Sequence, residues 1–431
     1  MNKKTNKPLR ILWFVNTPSL AAEKFGISKS SSGSWISATE LAMSKRKDIV
    51  LAIAFLRPGE KTRRFIYCRR TYYVIRQKDH LLSFFSWLNR ITHSISLCKM
   101  KDLLWVIDDF KPDLIHIYGS EGPFGLVTKQ TKVPIVIRLQ GIVQILKEVW
   151  GRNISMQNML FKSGVDCLVS GYGAYHMYFT YGRIAARERK IFKMNRYYIG
   201  QTDWDKGLIN ILSPQSKYFR LNPVVREIFL KKRQQPKKSG KRFSILSIIS
   251  PNAYKGFEEV LKVAKILKQQ RIRFAWRIAG TAHDHYFIKF FERISRNGFA
   301  KNNIRFLGIL DEKKLVDIFL KSDIYVHPSH IENECFSAIE AMLLGIPVVC
   351  YFVGGIGTYI KDGKTGLMVQ DSDVFSLAAK IILLKNNPRQ AKLLSERARQ
   401  MALKTFNTVS TINRLINIYK EILKLERKKI P

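Results

Sequence analysis

Short apolar runs alternate with helix-length amphipathic segments along this chain of 431 residues, and the series occurs twice. Strand-like runs in the first half include Ile11–Val15 and Val50–Phe55, and those in the second half include Phe243–Ile249 and Val348–Tyr351. Apolar strands that alternate with helices are typical of parallel sheets covered on both faces. Because one core seldom grows beyond about 250–300 residues, the repeated series predicts two doubly wound α/β domains.

A polar, basic stretch separates the two halves. Residues 231–242 read KKRQQPKKSGKR, and Pro236 and Gly240 oppose regular structure there. A solvated linker is the simpler interpretation, and a patch that binds nucleic acid or phospholipid is the alternative. We predict two Rossmann-like domains that face a cleft, with ligands at the carboxyl ends of the strands. The predicted segments are a first domain over 1–226, a basic linker over 227–243, a second domain over 244–404, and a helical segment over 405–431 that packs back towards the first domain.

The chain is strongly basic, with 74 Lys and Arg against 33 Asp and Glu and a formal net charge of +41. Such a charge attracts nucleic acid, acidic membrane surfaces or phosphorylated ligands, and it does not choose among them. The scattered cysteines predict neither a disulfide framework nor a zinc ribbon, which fits a reducing cytoplasm. No apolar run reaches the roughly 18 residues of a membrane span. The run Ile11–Val15 is too short for a signal peptide, so we interpret it as a buried strand.

Most of the candidate site residues lie in one stretch of the second half. There a strand ends, a polar loop follows and a helix begins near Phe336. Amides in the first turn of such a helix form an anion site. Glu332 lies in the loop and Glu340 lies eight residues later, inside the helix. Two acids would repel phosphates at close contact, but they suit hydroxyl groups on either side of a diphosphate. One hydroxyl-bearing group would be a sugar and the other a ribose.

Lys255 lies where the first strand of the second half passes into its helix, so it can supply a point charge to the same diphosphate. Gly354 and Gly355 permit a second close approach of backbone to a ligand. Two simpler interpretations stay open. Ser337 and Glu340 spell a capping box, in which Glu340 only caps its own helix. Lys255, taken alone, is equally an ordinary surface lysine.

Together and in this order, these features resemble family 4 of the retaining glycosyltransferases, which have the two-domain GT-B fold. The likeness consists of Glu332 and Glu340 with seven residues between them, Ala341-Met342, GIPVV at 345–349 and DGKTGL at 362–367. It is greatest to a bacterial polysaccharide-synthesis branch and covers residues 247 to about 369.

The resemblance implies that Glu332 contacts hydroxyls of the transferred sugar and that Glu340 contacts the ribose of the nucleotide. Lys255 and the amides near Cys335 would hold the diphosphate. The expected catalytic residues are therefore Glu332 and Lys255. The expected donor-binding residues are Glu340, Asn333, Cys335, Phe336, Ser337, Gly280 and Leu307.

Two positions depart from the family pattern. The family often places an Arg shortly before the lysine, but this chain has the run Ile248–Asn252 there. The leaving group would consequently face one cation fewer. The usual Pro of the signature loop is Cys335. Both glutamates remain.

The first half is similar to the acceptor domain of the same branch, through looser motifs at 33–36, 113–121, 134–141 and 199–205. The resemblance implies an acceptor site that includes Gly33, Ser34, Trp35, Gln140 and Glu121. Many relatives have a His where Gln140 stands, so we expect no catalytic His at that position. A retaining transfer needs a general base less, because the departing phosphate can take the acceptor proton.

Two patterns suggest a metal ion, and we discount both. Asp203-Trp204-Asp205 reads DxD, the metal motif of the other glycosyltransferase fold, but Thr202 with Asp203 also reads as a helix N-cap. His283 and His285 lack the further ligands that would complete a site. We expect no metal and no cofactor, with a nucleotide diphosphate-sugar, a UDP-sugar, as co-substrate.

Two basic, aromatic segments, 176–198 and 68–80, suit either an anionic membrane surface or packing of their aromatics on the core. We predict a cytoplasmic, metal-independent enzyme, peripheral on the inner face of the cytoplasmic membrane. It would move a sugar with retention of configuration to a lipid-linked glycan acceptor in bacterial surface polysaccharide synthesis, with no nucleic-acid partner. The alternative is an inactive scaffold of this fold that binds polyanions such as nucleic acid or anionic membrane.

Overall fold

The computed structural model describes residues 7–26, 34–77, 98–152, 154–164, 167, 173–234, 242–295 and 298–428. The chain forms two compact units, each built on its own sheet. The first unit contains Met1–Gln144, Gly182–Val224 and Phe406–Pro431, and the second contains Ile145–Tyr181 and Val225–Thr405. Residues 145–181 thus group with the second unit, whereas the sequence-predicted boundary placed them in the first domain.

The strands of the first sheet are β1 (Leu9–Val15), β2 (Ile49–Arg57), β3 (Arg63–Tyr67), β4 (Arg70–Arg76), β5 (Leu114–Tyr118), β6 (Ile135–Arg138), β7 (Tyr197–Gly200) and β8 (Lys217–Arg220). The strands of the second sheet are β9 (Phe243–Ile248), β10 (Phe274–Ala279), β11 (Ile304–Phe306), β12 (Ile324–His327), β13 (Val348–Tyr351) and β14 (Leu367–Val369).

The α-helices, in chain order, are α1 (Ser34–Met43), α2 (Met100–Phe110), α3 (Val143–Val149), α4 (Met156–Phe161), α5 (Ala174–Met194), α6 (Asp203–Leu212), α7 (Glu227–Lys231), α8 (Phe257–Gln269), α9 (Tyr286–Ser295), α10 (Glu312–Leu320), α11 (Phe336–Leu344), α12 (Val374–Asn386), α13 (Pro388–Thr405) and α14 (Thr408–Arg427). Short 3₁₀ helices cover Ser19–Phe25, Phe124–Lys129, Ala253–Lys255, Ala300–Asn302 and Ile356–Thr358. None of the helices in these described ranges combines the length and hydropathy that a membrane span requires.

The first sheet has the order β3-β4-β2-β1-β5-β6-β7-β8 and is parallel except for the β3–β4 pair. Its central strand β1 is buried at every position from Ile11 to Val15, as expected for a strand with helices on both faces. The chain runs outward from β1 through β2 to one edge and then continues from β5 to the other edge. The carboxyl ends of β1 and β5 therefore lie side by side where the strand order reverses.

The second sheet has the order β11-β10-β9-β12-β13-β14 and is parallel throughout. Its helices present apolar faces to it; in α8, for example, Val260, Leu261, Ala264 and Leu267 are all buried at helical spacing. The strand order reverses between β9 and β12. Two parallel sheets with covering helices confirm the α/β class predicted from the sequence.

The two basic, aromatic segments pack largely on the core. Residues 70–76 form β4, in which Tyr72 and Tyr73 are buried. Residues 176–198 form most of α5 and the start of β7; Ile191 and Phe192 are buried, while Phe179 is 41% exposed. Residues 78–80 of the other segment lie outside the described part of the chain.

The C-terminal helix α14 contributes a buried tyrosine to the core of the first unit. The Tyr419 hydroxyl accepts a hydrogen bond from Trp13 Nε1 at 3.1 Å and lies 2.6 Å from His116 Nδ1. All three side chains have no exposed surface. The helix is therefore tied to β1 and β5 by polar contacts as well as by apolar ones.

We expect Tyr419→Phe to lower the free energy of unfolding by about 1–3 kcal/mol, because it leaves Trp13 and His116 with unsatisfied buried groups. Chemical denaturation of the full chain measures the change. Tyr67→Phe serves as the control, since that hydroxyl bonds Glu23 at the surface. A loss no larger than in the control would contradict the account.

Candidate active site

The loops that carry the predicted catalytic residues meet where the second sheet reverses its strand order. Lys255 follows β9, and Glu332 follows β12, its neighbour in the sheet. Gly256 has a φ of 77°, and a Cβ there would lie 2.0 Å from the Pro328 carbonyl oxygen. Only glycine therefore lets the turn before α8 pack against the loop after β12. This is the position at which doubly wound sheets bind ligands.

Glu332 is a nearly buried carboxylate held by two cationic side chains. Its Oε1 atom accepts hydrogen bonds from Lys255 Nζ and from His327 Nε2, the latter at 3.0 Å. Burial acts to raise the pKa of Glu332, but Lys255 and His327 outweigh it and lower the pKa to about 2. The carboxylate is thus ionised at any physiological pH. Its Oε2 atom makes no hydrogen bond to a described residue, which leaves it available to a ligand.

His327 is fixed from both sides. Burial acts to lower its pKa, but the neighbouring Cys335 and Glu332 raise it to about 9, so both ring nitrogens carry protons. Nε2 donates to Glu332, and Nδ1 lies 3.0 Å from the Tyr325 hydroxyl. That hydroxyl in turn donates to Ser337 Oγ at 2.6 Å. Neither His327 nor Tyr325 was predicted as a site residue. Because the two positions are two residues apart on a strand, their side chains lie on the same face of the sheet.

Glu340 lies inside α11 and is held by an arginine that the sequence analysis also missed. Its Oε1 atom accepts hydrogen bonds from both Nε and Nη2 of Arg226, with 3.1 Å to Nε. The capping-box interpretation is wrong: Cys335 is the N-cap residue without a side-chain bond, and Ser337 Oγ is occupied by Tyr325. Burial raises the pKa of Glu340, and Arg226 opposes that rise.

The N-terminus of α11 offers one backbone donor. The amide of Phe336 bonds the Glu334 carbonyl, and that of Ala338 bonds the Cys335 carbonyl. The Ser337 amide makes no hydrogen bond to the described residues and points from the positive end of the helix.

The glycine pair after β13, Gly354 and Gly355, packs against the loop that carries Glu332. Gly355 N donates to the Glu332 carbonyl at 2.8 Å, and a Cβ on Gly354 would lie 2.0 Å from the same oxygen. The expected second close approach of backbone to a ligand stays a prediction beside this structural role. The pair fixes the backbone of Glu332.

The remaining donor-binding predictions fall along the same edge of the sheet. Gly280 follows β10 with a φ of 96°, and Leu307 follows β11, the edge strand next to it. Asn333 is buried in the loop beside Glu332. The structure thus brings these residues to the carboxyl ends of parallel strands of one sheet.

A buried histidine braces the loop that carries Glu332. His330 Nδ1 lies 2.7 Å from Asp371 Oδ1, and Nε2 lies 2.8 Å from Glu258 Oε1. Burial acts to lower the pKa of His330, but the two carboxylates outweigh it and raise the pKa to about 10. Glu258, Glu259 and His330 are close enough to hold a metal ion. Both ring nitrogens already bond carboxylates, so we interpret the cluster as an ion-pair brace.

The DxD pattern is part of a helix cap. The Thr202 side chain accepts from the Asp205 amide at 3.1 Å, and the Asp205 carboxylate accepts in return from the Thr202 amide. The N-cap interpretation is therefore confirmed. His283 lies 3.7 Å from Glu292 at the surface.

The predicted acceptor residues of the first unit lie at the corresponding edge of the first sheet. Glu121 follows β5, accepts from Asn16 Nδ2 at 2.5 Å, and has its pKa raised to about 7 by burial. Gln140 follows β6, and Trp35 in α1 stacks on the guanidinium of Arg138 at 4.7 Å. Ser34 begins α1, and Gly33 lies outside the described residues.

Residues 229–401 match the family described as Glycosyl transferases group 1. The matched part of the second unit holds Lys255, Glu332 and Glu340. The match confirms the resemblance found in the sequence at the level of this family.

Similar proteins include glycosyltransferases and a protein from a polysaccharide locus. An uncharacterized 41.2 kDa protein in the cps region of Klebsiella pneumoniae is 26% identical over 249 residues, which are 57% of this chain and 65% of that protein. The D-inositol 3-phosphate glycosyltransferase of Thermomonospora curvata is 31% identical over 116 residues, 27% of each chain. The glycogen synthase of Mycobacterium tuberculosis H37Rv is 31% identical over 127 residues, 30% of this chain and 31% of that enzyme. The chain thus spans less than two thirds of the length of these curated relatives.

Solved structures show the same fold over almost the whole chain. Sucrose-phosphate synthase from Thermosynechococcus elongatus has a TM-score of 0.71 at 13% identity and covers 96% of this chain and 100% of its own. Anabaena HepE, solved with UDP and glucose, has a TM-score of 0.63 at 15% identity, with 96% of this chain and 100% of its own covered. The predicted GT-B fold is confirmed.

Proposed function

We propose that this chain is a retaining glycosyltransferase that moves a sugar from a nucleotide diphosphate-sugar to a glycan acceptor. The observation that carries the proposal is the pair of largely buried carboxylates, Glu332 and Glu340, within the residues that match the Glycosyl transferases group 1 family. Each is bound at Oε1 by cationic side chains and has Oε2 available. Hydroxyl groups of a sugar and of a ribose suit such acceptors.

The donor is proposed to bind with its diphosphate between the two carboxylates. Lys255 Nζ has three donors, so it can bond Glu332 and still face a phosphate oxygen. The Ser337 amide at the start of α11 adds a second donor with helix-dipole charge. We propose a UDP-sugar, because HepE was solved with UDP-glucose.

In the proposed reaction, the protein stabilises the departing nucleotide, and the configuration at the anomeric carbon of the sugar is retained. The bond between the anomeric carbon and the diphosphate oxygen breaks while Lys255 and the helix amide neutralise the developing negative charge. Glu332 orients the sugar through its hydroxyls. The acceptor oxygen bonds the anomeric carbon on the same face, and its proton passes to the departing phosphate oxygen. The proposed steps use no metal ion and no other cofactor.

The acceptor is proposed to be a lipid-linked glycan bound by the first unit through Glu121, Trp35 and Gln140. The similar protein in a cps region supports a role in bacterial surface polysaccharide synthesis. A net charge of +41 favours residence at an anionic membrane surface, which we propose to be the inner face of the cytoplasmic membrane.

The same charge favours a second candidate, an inactive scaffold that binds nucleic acid or anionic membrane. Cys335 and the missing arginine before Lys255 are its further support. Binding of this kind weakens steeply with salt. A scaffold would bind duplex DNA at low salt and no nucleoside diphosphate.

The stereochemistry of the released sugar tests the proposed reaction. The full chain is incubated with UDP-glucose, UDP-galactose or UDP-N-acetylglucosamine, and proton NMR follows the first sugar product before mutarotation. Release of the same anomer as in the donor supports retention. Release of the opposite anomer contradicts it.

We expect Lys255→Gln to weaken UDP binding roughly tenfold and UMP binding less than threefold, because the lysine charge acts on the terminal phosphate. Calorimetric titration of both nucleotides measures the two affinities. Lys262→Gln, which removes a lysine paired with Glu259 on α8, is the matched control. Equal weakening of UDP and UMP would place the lysine away from the terminal phosphate.

A further inference from the structure

Arg226 binds Glu340 in a geometry that leaves one carboxylate oxygen available. Both Nε and Nη2 of Arg226 donate to Oε1 of Glu340, and Oε2 makes no hydrogen bond to a described residue. The two side chains are 12% and 8% exposed, so water competes little for the pair. An arginine that only neutralised the glutamate would bind both oxygens side by side.

The guanidinium of Arg226 is itself held in place. It stacks on the Phe229 ring at 4.5 Å, and Phe229 is fully buried and packs edge-on against Phe319. Glu312 at the start of α10 lies 3.7 Å from Arg226 Nε and is 46% exposed. A stacked, planar guanidinium fixes the direction of the carboxylate that it binds.

The charge balance around Glu340 makes its ionisation depend on Arg226. The charged groups that face Glu340 are Arg226 and, from α10, Glu312; Glu227 and Lys231 of α7 pair with each other. Burial and Glu312 raise the pKa of Glu340, and Arg226 is the group that opposes them. Without the arginine, the pKa of Glu340 would therefore rise further.

We propose that Arg226 is the positioning residue of the nucleotide site: it binds Oε1 of Glu340 and orients the carboxylate so that Oε2 accepts hydrogen bonds from the ribose hydroxyls. The inference rests on the proposed function, since the ribose is that of the donor nucleotide. Arg226 would act through Glu340 and make no contact with the nucleotide itself.

A double-mutant cycle on nucleotide affinity tests the inference. The full-length wild type, Arg226→Gln, Glu340→Gln and the double variant are titrated by calorimetry with UDP, GDP, ADP, CMP or dTDP, whichever the wild type binds most tightly. Each single change is expected to weaken binding roughly tenfold, and the double variant no more than either single one. Arg233→Gln, an exposed arginine paired with Glu396, is the matched control and should bind as the wild type does.

The pH profile separates a positioning role from a structural one. As the pH is lowered from 8 to 6, the affinity of Arg226→Gln should fall more than that of the wild type, because loss of the arginine raises the pKa of Glu340 further. Arg226→Lys keeps the charge but loses the planar, stacked guanidinium, so it should recover the pH profile of the wild type and only part of its affinity. If Arg226→Gln does not fold, the cycle is run with Arg226→Lys, and a loss that persists in the Glu340→Gln background overturns the inference.

The outcomes distinguish the inference from the function on which it rests. If Glu340→Gln binds nucleotide as tightly as the wild type, or no nucleotide binds the wild type, the donor assignment fails and the inference fails with it. If Glu340→Gln is weakened but Arg226→Gln is not, or the two effects multiply to roughly a hundredfold, the proposed function stands and the positioning role is overturned.

Discussion

Replacing Glu332 by Gln is expected to lower the rate of sugar transfer roughly a hundredfold or more, while nucleoside diphosphate affinity stays within about threefold. Gln has the size of Glu but gives Lys255 and His327 no negative partner. The sugar would lose an ionised acceptor for its hydroxyls, and Lys255 would lose the contact that fixes its position. Transfer or hydrolysis of the donor sugar measures the rate, and calorimetry with UDP measures binding.

Glu396→Gln provides the control, since Glu396 pairs with an exposed arginine on the same unit. That variant should keep both rate and affinity. Loss of nucleotide binding in Glu332→Gln, with transfer from saturating donor retained, would show that the ends of the donor are reversed relative to the two carboxylates.

Replacing His330 by Ala is expected to lower the free energy of unfolding by about 3–5 kcal/mol. The substitution leaves Glu258 and Asp371 facing each other without the imidazolium between them, and both are largely buried. The loop with Glu332 would lose its brace to α8 and to the segment before α12. Chemical denaturation at pH 7 measures the loss, with His283→Ala as control because His283 is 62% exposed. A loss below about 1 kcal/mol would contradict the account.

His330 also makes the free energy of unfolding depend on pH. Its pKa is raised from an ordinary value of about 6.5 in the unfolded chain to about 10 in the fold. The stabilisation is therefore fully present below about pH 6.5 and is lost as the pH rises through about 10. Unfolding free energies from pH 6 to pH 10 should fall more steeply for the wild type than for His330→Asn. Parallel profiles would show that the histidine is not charged in the fold.

The buried strands could be predicted from the sequence because each is a short apolar run between turn residues. The hairpin of β3 and β4 was missed, since its turn is Cys68-Arg69 and neither residue is a usual turn former. Both residues adopt positive φ, 48° and 60°, as a two-residue hairpin turn requires. The edge strands β8 and β14 were also missed; β8 begins with Lys217, ends with Arg220 and has only Phe219 buried, so it contains no apolar run.

The candidate site could be predicted in part. Glu332, Glu340 and Lys255 lie in local patterns of strand, loop and helix that the sequence displays. The partners of these residues do not lie in such local patterns. Arg226 is 114 positions from Glu340, and only the fold brings the two side chains together. Ion pairs between residues so far apart depend on three-dimensional packing, so they cannot be predicted from a spacing in the sequence.

The measurement that tests the central proposal most directly is nucleotide binding by the full chain. UDP, GDP, ADP, CMP and dTDP, each at millimolar concentration and without added metal, are compared by thermal shift and then titrated by calorimetry. The account predicts that one nucleoside diphosphate binds and raises the melting temperature by about 2–4 °C when present at roughly ten times its Kd. Binding of none of them, together with salt-sensitive binding of DNA, would contradict the proposed enzyme and favour the polyanion-binding scaffold.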